Sequence, residues 1–211
     1  MYKTIIFDFN GTLLDDCELC LDILNKLCKE YGLKSVSMER YKDIFTFPVY
    51  LYYKQCGFDV ESDTFLNVGK KFHEYYNNLS YENAKLFPCV KEVLNALKSK
   101  GYTIVCLSAS KIDTLIKQLE YYEIFDYFDS IVGLDNTYAH SKIEVAKLFM
   151  KDNRIENSTT LLIGDSIHDL EVANEINVNC YLVSTGHTSK KRLEKVSENV
   201  LDDLKCVLNV L

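Results

Sequence analysis

Charged and polar residues follow three short apolar runs of this chain, and a lysine begins a helix between the last two of these positions, so that together they could bind a charged ligand. The residues concerned are Asp8, Ser108, Lys142 and the pair Gly164-Asp165. Taken singly, an Asp or Ser after a strand is often only a turn former or a helix cap. Four such positions at one edge of a sheet are much harder to explain in that way. The prediction of a binding site thus depends on the elements that carry these residues.

Predicted strands and helices alternate along most of the chain. Lys3–Phe7 is predicted as a buried strand, and later strands are expected at 102–107, 130–133, 160–163 and 179–183. Helices are expected at 89–99, 111–122, 142–151 and 168–176, with further helices at the end. Strands that alternate with helices indicate a doubly wound α/β fold, with a parallel sheet covered on both faces. Ligands bind such sheets at the carboxyl ends of the strands, where the polar residues lie.

Residues 16–82 interrupt this alternation with helical stretches at 17–31, 37–46, 49–56 and 62–78 and no convincing strand. Asp15 or Asp16 is suited to cap the first helix. We predict an α/β core of residues 1–15 and 83–211, with a small helical cap (residues 16–82) inserted after the first strand. The many tyrosines of the cap are expected to pack inside it, apart from one or two within 41–53 that could face the cleft.

Composition and charge exclude several classes of protein. The chain has 211 residues, of which 47 % are apolar and 26 % charged, as in globular rather than disordered proteins. A net charge of −7 argues against nucleic acid as the partner, because a phosphate backbone needs a basic surface. No apolar run is long enough to cross a bilayer, and the N-terminus lacks a signal peptide's apolar stretch. We expect a cytoplasmic protein without a membrane partner, whose eight cysteines are reduced and inert.

Four motifs, in this order and with this strand context, resemble those of the haloacid dehalogenase (HAD) superfamily. They are Asp8-Phe9-Asn10-Gly11-Thr12-Leu13, Ser108 after a strand, Lys142, and Gly164-Asp165-Ser166-x-x-Asp169. The segment Phe87–Leu94 looks like the family's return from cap to core, and Ser184–Ser189 looks like a loop of phosphoglycolate phosphatase-like members. The resemblance covers nearly the whole chain. It implies a Rossmann-like core and equates the helical insert with the family's C1 cap.

This resemblance implies roles for the motif residues in phosphate ester hydrolysis. Asp8 would be the nucleophile and form an aspartyl-phosphate, which divides a difficult reaction into two steps. Mg²⁺ would bind the carboxylates of Asp8 and Asp165 and the backbone carbonyl of Asn10, and would offset the repulsion between carboxylate and phosphate. Ser108 and Lys142 would hold phosphoryl oxygens.

Further residues would support these groups. Asp169, with Ser166 beside it, is expected outside the metal's ligands, where it holds a metal-bound water or Lys142. Backbone N–H groups around Gly11, Thr12 and Ala109 would complete the phosphate cradle. The implied partner is a small phosphorylated metabolite, and the sequence leaves monomer and homodimer both open.

Asn10 departs from the family pattern, because phosphatases of this family usually have a second Asp there. That Asp protonates the leaving group and later deprotonates the attacking water, whereas an amide does not exchange protons in this way near neutral pH. General acid–base groups contribute about 10²–10⁴-fold to reaction rates. Binding of metal and phosphate is expected to survive the change.

Several explanations of Asn10 stay open. The protein is a slower phosphatase, restricted to leaving groups that need little protonation, such as aryl phosphates, acyl phosphates or anhydrides. Alternatively, His168, His187 or a cap residue acts as the acid–base group. A third explanation is a catalytically weakened phosphate-binding or regulatory protein. Less favoured is a phosphonate hydrolase that forms a Schiff base on a cap lysine (Lys26, Lys29, Lys42 or Lys54).

Overall fold

A computed structural model describes residues 1–61, 64–134 and 141–211. Its strands are β1 (Thr4–Phe7), β2 (Leu14–Asp15), β3 (Lys85–Leu86), β4 (Thr103–Lys111), β5 (Ser130–Leu134), β6 (Thr160–Gly164), β7 (Asn179–Val183) and β8 (Val200–Leu201). Six of these form a parallel sheet in the order β5-β4-β1-β6-β7-β8. Because β1 lies between β4 and β6, residues that follow these three strands meet at one edge.

The helices mostly coincide with the predicted ones. They are α1 (Cys17–Glu30), α2 (Met38–Ile44), α3 (Tyr50–Gln55), α4 (Thr64–Asn83), α5 (Val90–Ser99), α6 (Ile112–Tyr121), α7 (Lys142–Asp152), α8 (Ile167–Glu175) and α9 (Lys190–Leu193). The predicted helix 62–78 corresponds to α4, and its first two residues lie outside the described residues. α4 ends later than predicted, where the Tyr122 hydroxyl donates to the carbonyls of Ser80 and Ala84. In the described part of the chain, no helix combines the length and apolar character that crossing a bilayer requires.

Both faces of the sheet are buried under helices, as the alternating pattern predicts. Ile5 and Phe7 of β1 belong to the core on one face, which they share with Val93 of α5. Ile6 belongs to the core on the other face, which it shares with Val145 of α7. A strand buried on both sides has a continuous apolar sequence, which accounts for the run that ends at Phe7. The predicted doubly wound α/β fold is confirmed.

Two short strands at the base of the cap were not predicted. β2 and β3 pair antiparallel, with Leu14 opposite Leu86 and Asp15 opposite Lys85, and so join the two connections between cap and core. A strand of two residues has no periodicity that a sequence pattern can show. Helices α1–α3 lie within the predicted cap, and α4 extends one residue beyond it to Asn83. The cap limits at residues 16 and 82 stay a prediction.

The end of the chain differs from the predicted series of helices. α9 has four residues and is followed by β8, which extends the sheet by pairing in parallel with β7. A 3₁₀ segment, Leu204–Asn209, then places Leu204 and Val207 in the core. The pairing of Val200 with Leu182 joins distant parts of the chain, and strand formation of this kind depends on tertiary context rather than local preference. The prediction of helices alone after the last strand was therefore wrong.

Candidate active site

Two carboxylates and a hydroxyl meet at the carboxyl edge of the sheet. Asp8 follows β1, and Asp165 follows β6. Pairing of Phe7 with Ile163 brings the two strand ends side by side, and both aspartates are buried. The hydroxyl Oγ1 of Thr12 lies 3.1 Å from Oδ1 of Asp165 and 3.4 Å from Oδ2 of Asp8. The fold thus brings together three residues that the sequence singled out.

Lys142, the first residue of α7, contacts two of the carboxylates at this edge. Its Nζ donates to Oδ1 of Asp8 and, at 2.6 Å, to Oδ1 of Asp169. The helix begins here because Ser141 caps it, with its Oγ accepting from the backbone N–H of Glu144. Lys142 is only 4 % exposed, so its charge depends on these acidic partners.

The second oxygen of Asp169 holds the start of α8. Oδ2 accepts hydrogen bonds from the Ser166 hydroxyl at 2.7 Å, the Ser166 N–H at 3.0 Å and the Asp165 N–H at 3.2 Å. Ser166 and Asp169 together form a capping box. Both oxygens of Asp169 are therefore occupied, one by Lys142 and one by the helix start. This geometry suits a supporting residue rather than a metal ligand.

The site carries an excess of negative charge. Carboxylate oxygens of Asp8, Asp165 and Asp169 lie within 4.8 Å of one another. Burial raises the pKa of Asp8 to about 8, while Lys142 opposes this shift and Asp169 and Asp165 add to it. Burial also raises the pKa of Asp165, to about 6. Crowded, buried carboxylates are stabilised by a divalent cation that prefers oxygen ligands, so the donor set fits such an ion.

Asp165 is held in one orientation by its surroundings. The backbone N–H of His187 donates to its Oδ2 at 2.7 Å. A Cβ on Gly186 would lie 2.2 Å from that oxygen, and a Cβ on Gly11, whose φ is +76°, would lie 2.5 Å from it. Only glycine fits at these two positions, since the backbone approaches the carboxylate closely. A ligand oriented in advance favours cation binding.

Ser108 lies at the same edge, inside β4 rather than after a strand as predicted. β4 continues to Lys111 through an irregularity in its pairing with β5 that follows Leu107. The Ser108 side chain is buried, and its Oγ accepts a hydrogen bond of 3.1 Å from the backbone N–H of Ser110. Ala109 is exposed. Contact of Ser108 and Ala109 with phosphate oxygens stays a prediction.

Asn10 is hydrogen-bonded through both ends of its amide. Nδ2 donates to Oδ2 of Asp16 at 2.8 Å and to the hydroxyl of Tyr76 at 2.6 Å. Oδ1 accepts from the Ser110 hydroxyl at 3.3 Å. These partners belong to the entrance of the cap, to helix α4 of the cap and to β4 of the core. Asn10 therefore lies where cap and core meet.

Asp16 is the main residue that sequence reasoning missed, because it was assigned only as a helix cap. Its side chain makes no capping bond to α1. Instead, Oδ1 accepts from the Gly11 N–H at 3.1 Å and lies 3.1 Å from Nε2 of His187. Although burial opposes ionisation, His187, Tyr76 and Asn10 hold the pKa of Asp16 below its ordinary value. One feature of the sequence could have indicated that Asp16 is buried: it lies between the apolar residues Leu13-Leu14 and Cys17, and these three are buried.

His187 approaches the site, which is one of the two placements the sequence allowed. Its ring Nδ1 lies 2.9 Å from the hydroxyl of Tyr41 and 3.6 Å from Sγ of Cys17. Tyr41 comes from the segment 41–53 that was expected to supply a cleft residue. Tyr76 lies outside that segment. It was missed because a tyrosine on a helical apolar stripe is usually a core residue.

The cap contacts the core through α2 and the loop after it. The Lys42 ammonium donates to the carbonyl of Thr185 at 3.2 Å, and the Arg192 guanidinium donates to the carbonyl of Lys42 at 3.1 Å. Phe47 stacks on His168, with 4.8 Å between the ring centroids. His168 therefore lies between cap and core, and its alternative role as an acid–base group stays a prediction.

Other cap lysines considered for a Schiff base have ordinary surroundings. Lys26 lies over the ring of Tyr75, 3.6 Å from its centroid. Lys29 and Lys54 are exposed. With Lys42 bonded to a backbone carbonyl, these placements do not favour a phosphonate hydrolase.

Comparison with known proteins decides the family. Residues 5–183 match the family described as haloacid dehalogenase-like hydrolase. The chain belongs to this family. The match runs from β1 to the end of β7 and includes Asp8, Lys142 and Asp165, so the resemblance noted in the sequence is confirmed and the protein is a HAD-like hydrolase. Phosphatases of this family generally use a divalent metal, in agreement with the buried carboxylates.

Individual relatives are distant but cover most of the chain. A phosphoglycolate phosphatase of Nitrosospira multiformis is 24 % identical over 191 residues, covering 88 % of this chain and 84 % of its own. A 5′-nucleotidase of Pseudomonas aeruginosa is 28 % identical over 196 residues, covering 91 % and 87 %. A haloacid dehalogenase-like family hydrolase of Streptococcus pneumoniae has a TM-score of 0.85 at 21 % identity, covering 99 % and 98 %. This last likeness confirms the fold.

Proposed function

We propose that the protein is a Mg²⁺-dependent phosphatase that hydrolyses a small phosphomonoester through an aspartyl-phosphate on Asp8. The observation that carries this proposal is the position of Asp8, whose two oxygens contact Lys142 and Thr12 beside Asp165. A buried carboxylate next to an ammonium and a cation-binding carboxylate can attack an anionic phosphate. The names of the relatives, a phosphoglycolate phosphatase and a 5′-nucleotidase, agree with a small phosphorylated metabolite as substrate.

Each residue has a separate task in this proposal. Asp8 forms the bond to phosphorus, and water later breaks it. Lys142, held by Asp169, neutralises Asp8 before substrate binds and phosphoryl oxygens afterwards. Asp8, Asp165 and the backbone carbonyl of Asn10 would hold Mg²⁺, which supplies positive charge against the repulsion between carboxylate and phosphate. Helices α1–α4 would cover the substrate and exclude water.

A second candidate is a binding or regulatory protein that holds phosphorylated ligands without turnover. The observation that favours it is Asn10, whose amide is bonded to Asp16, Tyr76 and Ser110 and offers no exchangeable acid. In this case Mg²⁺ and phosphate would still bind, because neither requires a carboxylate at position 10.

An assay of p-nitrophenyl phosphate hydrolysis with Mg²⁺ distinguishes the two. We expect activity in the wild type and its loss in Asp8→Asn. The exposed Asp22→Asn on α1 is the matched control and should behave as wild type. A binding protein would be inactive until Asn10→Asp introduces an acid. Full activity in Asp8→Asn would contradict the proposed mechanism.

A further inference from the structure

The amide of Asn10 is held so that it cannot serve the leaving group. Nδ2 has two hydrogens, and both are used, one by Asp16 at 2.8 Å and one by Tyr76 at 2.6 Å. Its carbonyl oxygen accepts from Ser110 at 3.3 Å. Even if these bonds broke, a carboxamide would not transfer a proton to an oxygen near neutral pH. Residue 10 therefore supplies no proton.

The polar groups around Asn10 are also engaged with one another. The Tyr76 hydroxyl donates its only hydrogen to Asp16 at 2.6 Å. Asp16 is 1 % exposed and accepts from the Gly11 N–H, the Asn10 amide and the Tyr76 hydroxyl, with His187 at 3.1 Å completing the set. A carboxylate with this many donors is an acceptor only.

Lys142, on the other side of Asp8, is engaged as well. Its ammonium donates to Asp8 and Asp169, both buried with it. A proton given to a leaving oxygen would leave buried carboxylates without a counter-charge, which is strongly unfavourable. Within the described ranges, Asp16, Tyr76 and Lys142 are thus each held by a further partner, and the Ser110 hydroxyl donates to Asn10 itself.

We propose that this protein acts on phosphate compounds whose leaving oxygen is a weak base, namely acyl phosphates and phosphoanhydrides, and discriminates against alkyl phosphate esters. This inference rests on the proposed function, because it keeps the Asp8 chemistry, but it replaces the phosphomonoester proposed there by a phosphoryl compound whose leaving oxygen is a weaker base. The fully bonded Asn10 amide carries it. An alkoxide must be protonated as it departs, whereas a carboxylate or phosphate departs as a stable anion.

The two steps balance without an acid from the protein. An oxygen of Asp8 bonds to phosphorus, the bond from phosphorus to the leaving oxygen breaks, and its electron pair departs on the carboxylate or phosphate. A water oxygen then bonds to phosphorus and the bond to Asp8 breaks, which restores the Asp8 carboxylate. Both hydrogens of the water leave on the inorganic phosphate.

The test compares acetyl phosphate, pyrophosphate and glycerol phosphate with Mg²⁺ in the wild type, Asn10→Asp and Asp8→Asn, the last giving the background rate. We expect kcat/KM for glycerol phosphate to rise by about 10²–10⁴-fold in Asn10→Asp, the usual contribution of a general acid. The value for acetyl phosphate should change little. In the wild type, the ratio of kcat/KM for acetyl phosphate to kcat/KM for pyrophosphate shows whether acyl phosphates or phosphoanhydrides are preferred.

A series of aryl phosphates keeps the test decisive if Asn10→Asp does not fold. In the wild type, kcat/KM should fall steeply as the pKa of the leaving phenol rises, and a flat dependence would overturn the inference. Because His140 lies outside the described residues, His140→Ala is included to test whether this histidine supplies the proton. Loss of glycerol phosphate hydrolysis in that variant would also overturn it. Absence of hydrolysis with every substrate would instead contradict the proposed function itself.

Discussion

Nε2 of His187 lies 3.1 Å from Oδ1 of Asp16, and both side chains are buried. The backbone N–H of the same histidine donates to Asp165 at 2.7 Å. One residue in a late loop of the core is therefore bonded both to the residue that precedes the first cap helix and to a candidate metal ligand.

Asp16→Asn should lower the free energy of unfolding by about 3 kcal/mol, because removing one partner of a buried ion pair leaves the other uncompensated. Urea denaturation followed by circular dichroism measures the change. Asp22→Asn on the exposed side of α1 is the control, and its effect should stay within about 0.5 kcal/mol. Equal effects of the two variants would show that the Asp16–His187 pair contributes nothing to stability.

Gly186→Ala should weaken Mg²⁺ binding, because the added Cβ would lie 2.2 Å from Oδ2 of Asp165 and must displace it. Isothermal titration with MgCl₂ gives the change in affinity, which we expect to be about 10–100-fold, as for other changes around metal ligands. Gly69→Ala in α4 meets no atom within 4 Å and is the control. It should bind Mg²⁺ normally and gain up to about 1 kcal/mol of stability from its better helix propensity. Unchanged affinity in Gly186→Ala would argue against Asp165 as a ligand.

Lys142→Met should reduce kcat/KM by about 10²–10³-fold, the usual loss when one charge-stabilising donor is removed. The ammonium contacts Asp8 and Asp169 in the buried site. Lys147→Met removes a half-exposed ammonium that pairs with Glu175 on the surface, and should have little effect. A steady-state assay with p-nitrophenyl phosphate compares them, and similar losses in both variants would remove Lys142 from the mechanism.

Mg²⁺ should stabilise the protein more strongly as the pH rises. Without metal, the folded state raises the pKa of Asp8 from 3.8 to about 8, so between these values it binds a proton that the unfolded chain releases. The contribution of Asp8 to stability is therefore present at low pH and is lost as the pH rises through about 8. Mg²⁺ competes with this proton and should bind best when the proton has left.

Thermal denaturation with and without MgCl₂ at the two ends of this pH window measures the effect. The increase in Tm should be larger at the alkaline end. Asp8→Asn is the matched variant. In it, the increase in Tm caused by MgCl₂ should differ less between the two pH values than it does in the wild type. An equal increase at both ends in the wild type would contradict the assignment of Asp8 to the metal.

The sequence predicted the parts of the site that follow strands, because strand ends in a doubly wound sheet converge wherever the apolar pattern is clear. Asp8 and Asp165 were found in this way, whereas Lys142 was found as the first residue of a predicted helix. The strand β8 and the β2–β3 pair were not, since their pairing depends on residues far away in the chain. Short elements of this kind carry no periodicity of their own.

The contacts of Asn10 lay beyond sequence reasoning for a different reason. Tyr76 lies 66 residues along the chain from Asn10 and reaches it from helix α4 of the cap, whereas Ser110 lies 100 residues along the chain and reaches it from β4, which neighbours β1 in the sheet. Asp16 is near in sequence, but its position before α1 indicated a capping residue. Packing in the folded protein determines whether a side chain caps its own helix or bonds to a distant residue, and the local sequence does not reveal that packing.

The most direct test of the central claim is detection of a phosphoryl group on Asp8. The protein is mixed with acetyl phosphate and Mg²⁺, quenched in acid and digested, and the peptides are analysed by mass spectrometry. We predict one added phosphoryl group on the peptide that contains Asp8, and none after the same treatment of Asp8→Asn. Turnover of acetyl phosphate that is undiminished in Asp8→Asn, or a phosphoryl group on a different residue, would contradict the account.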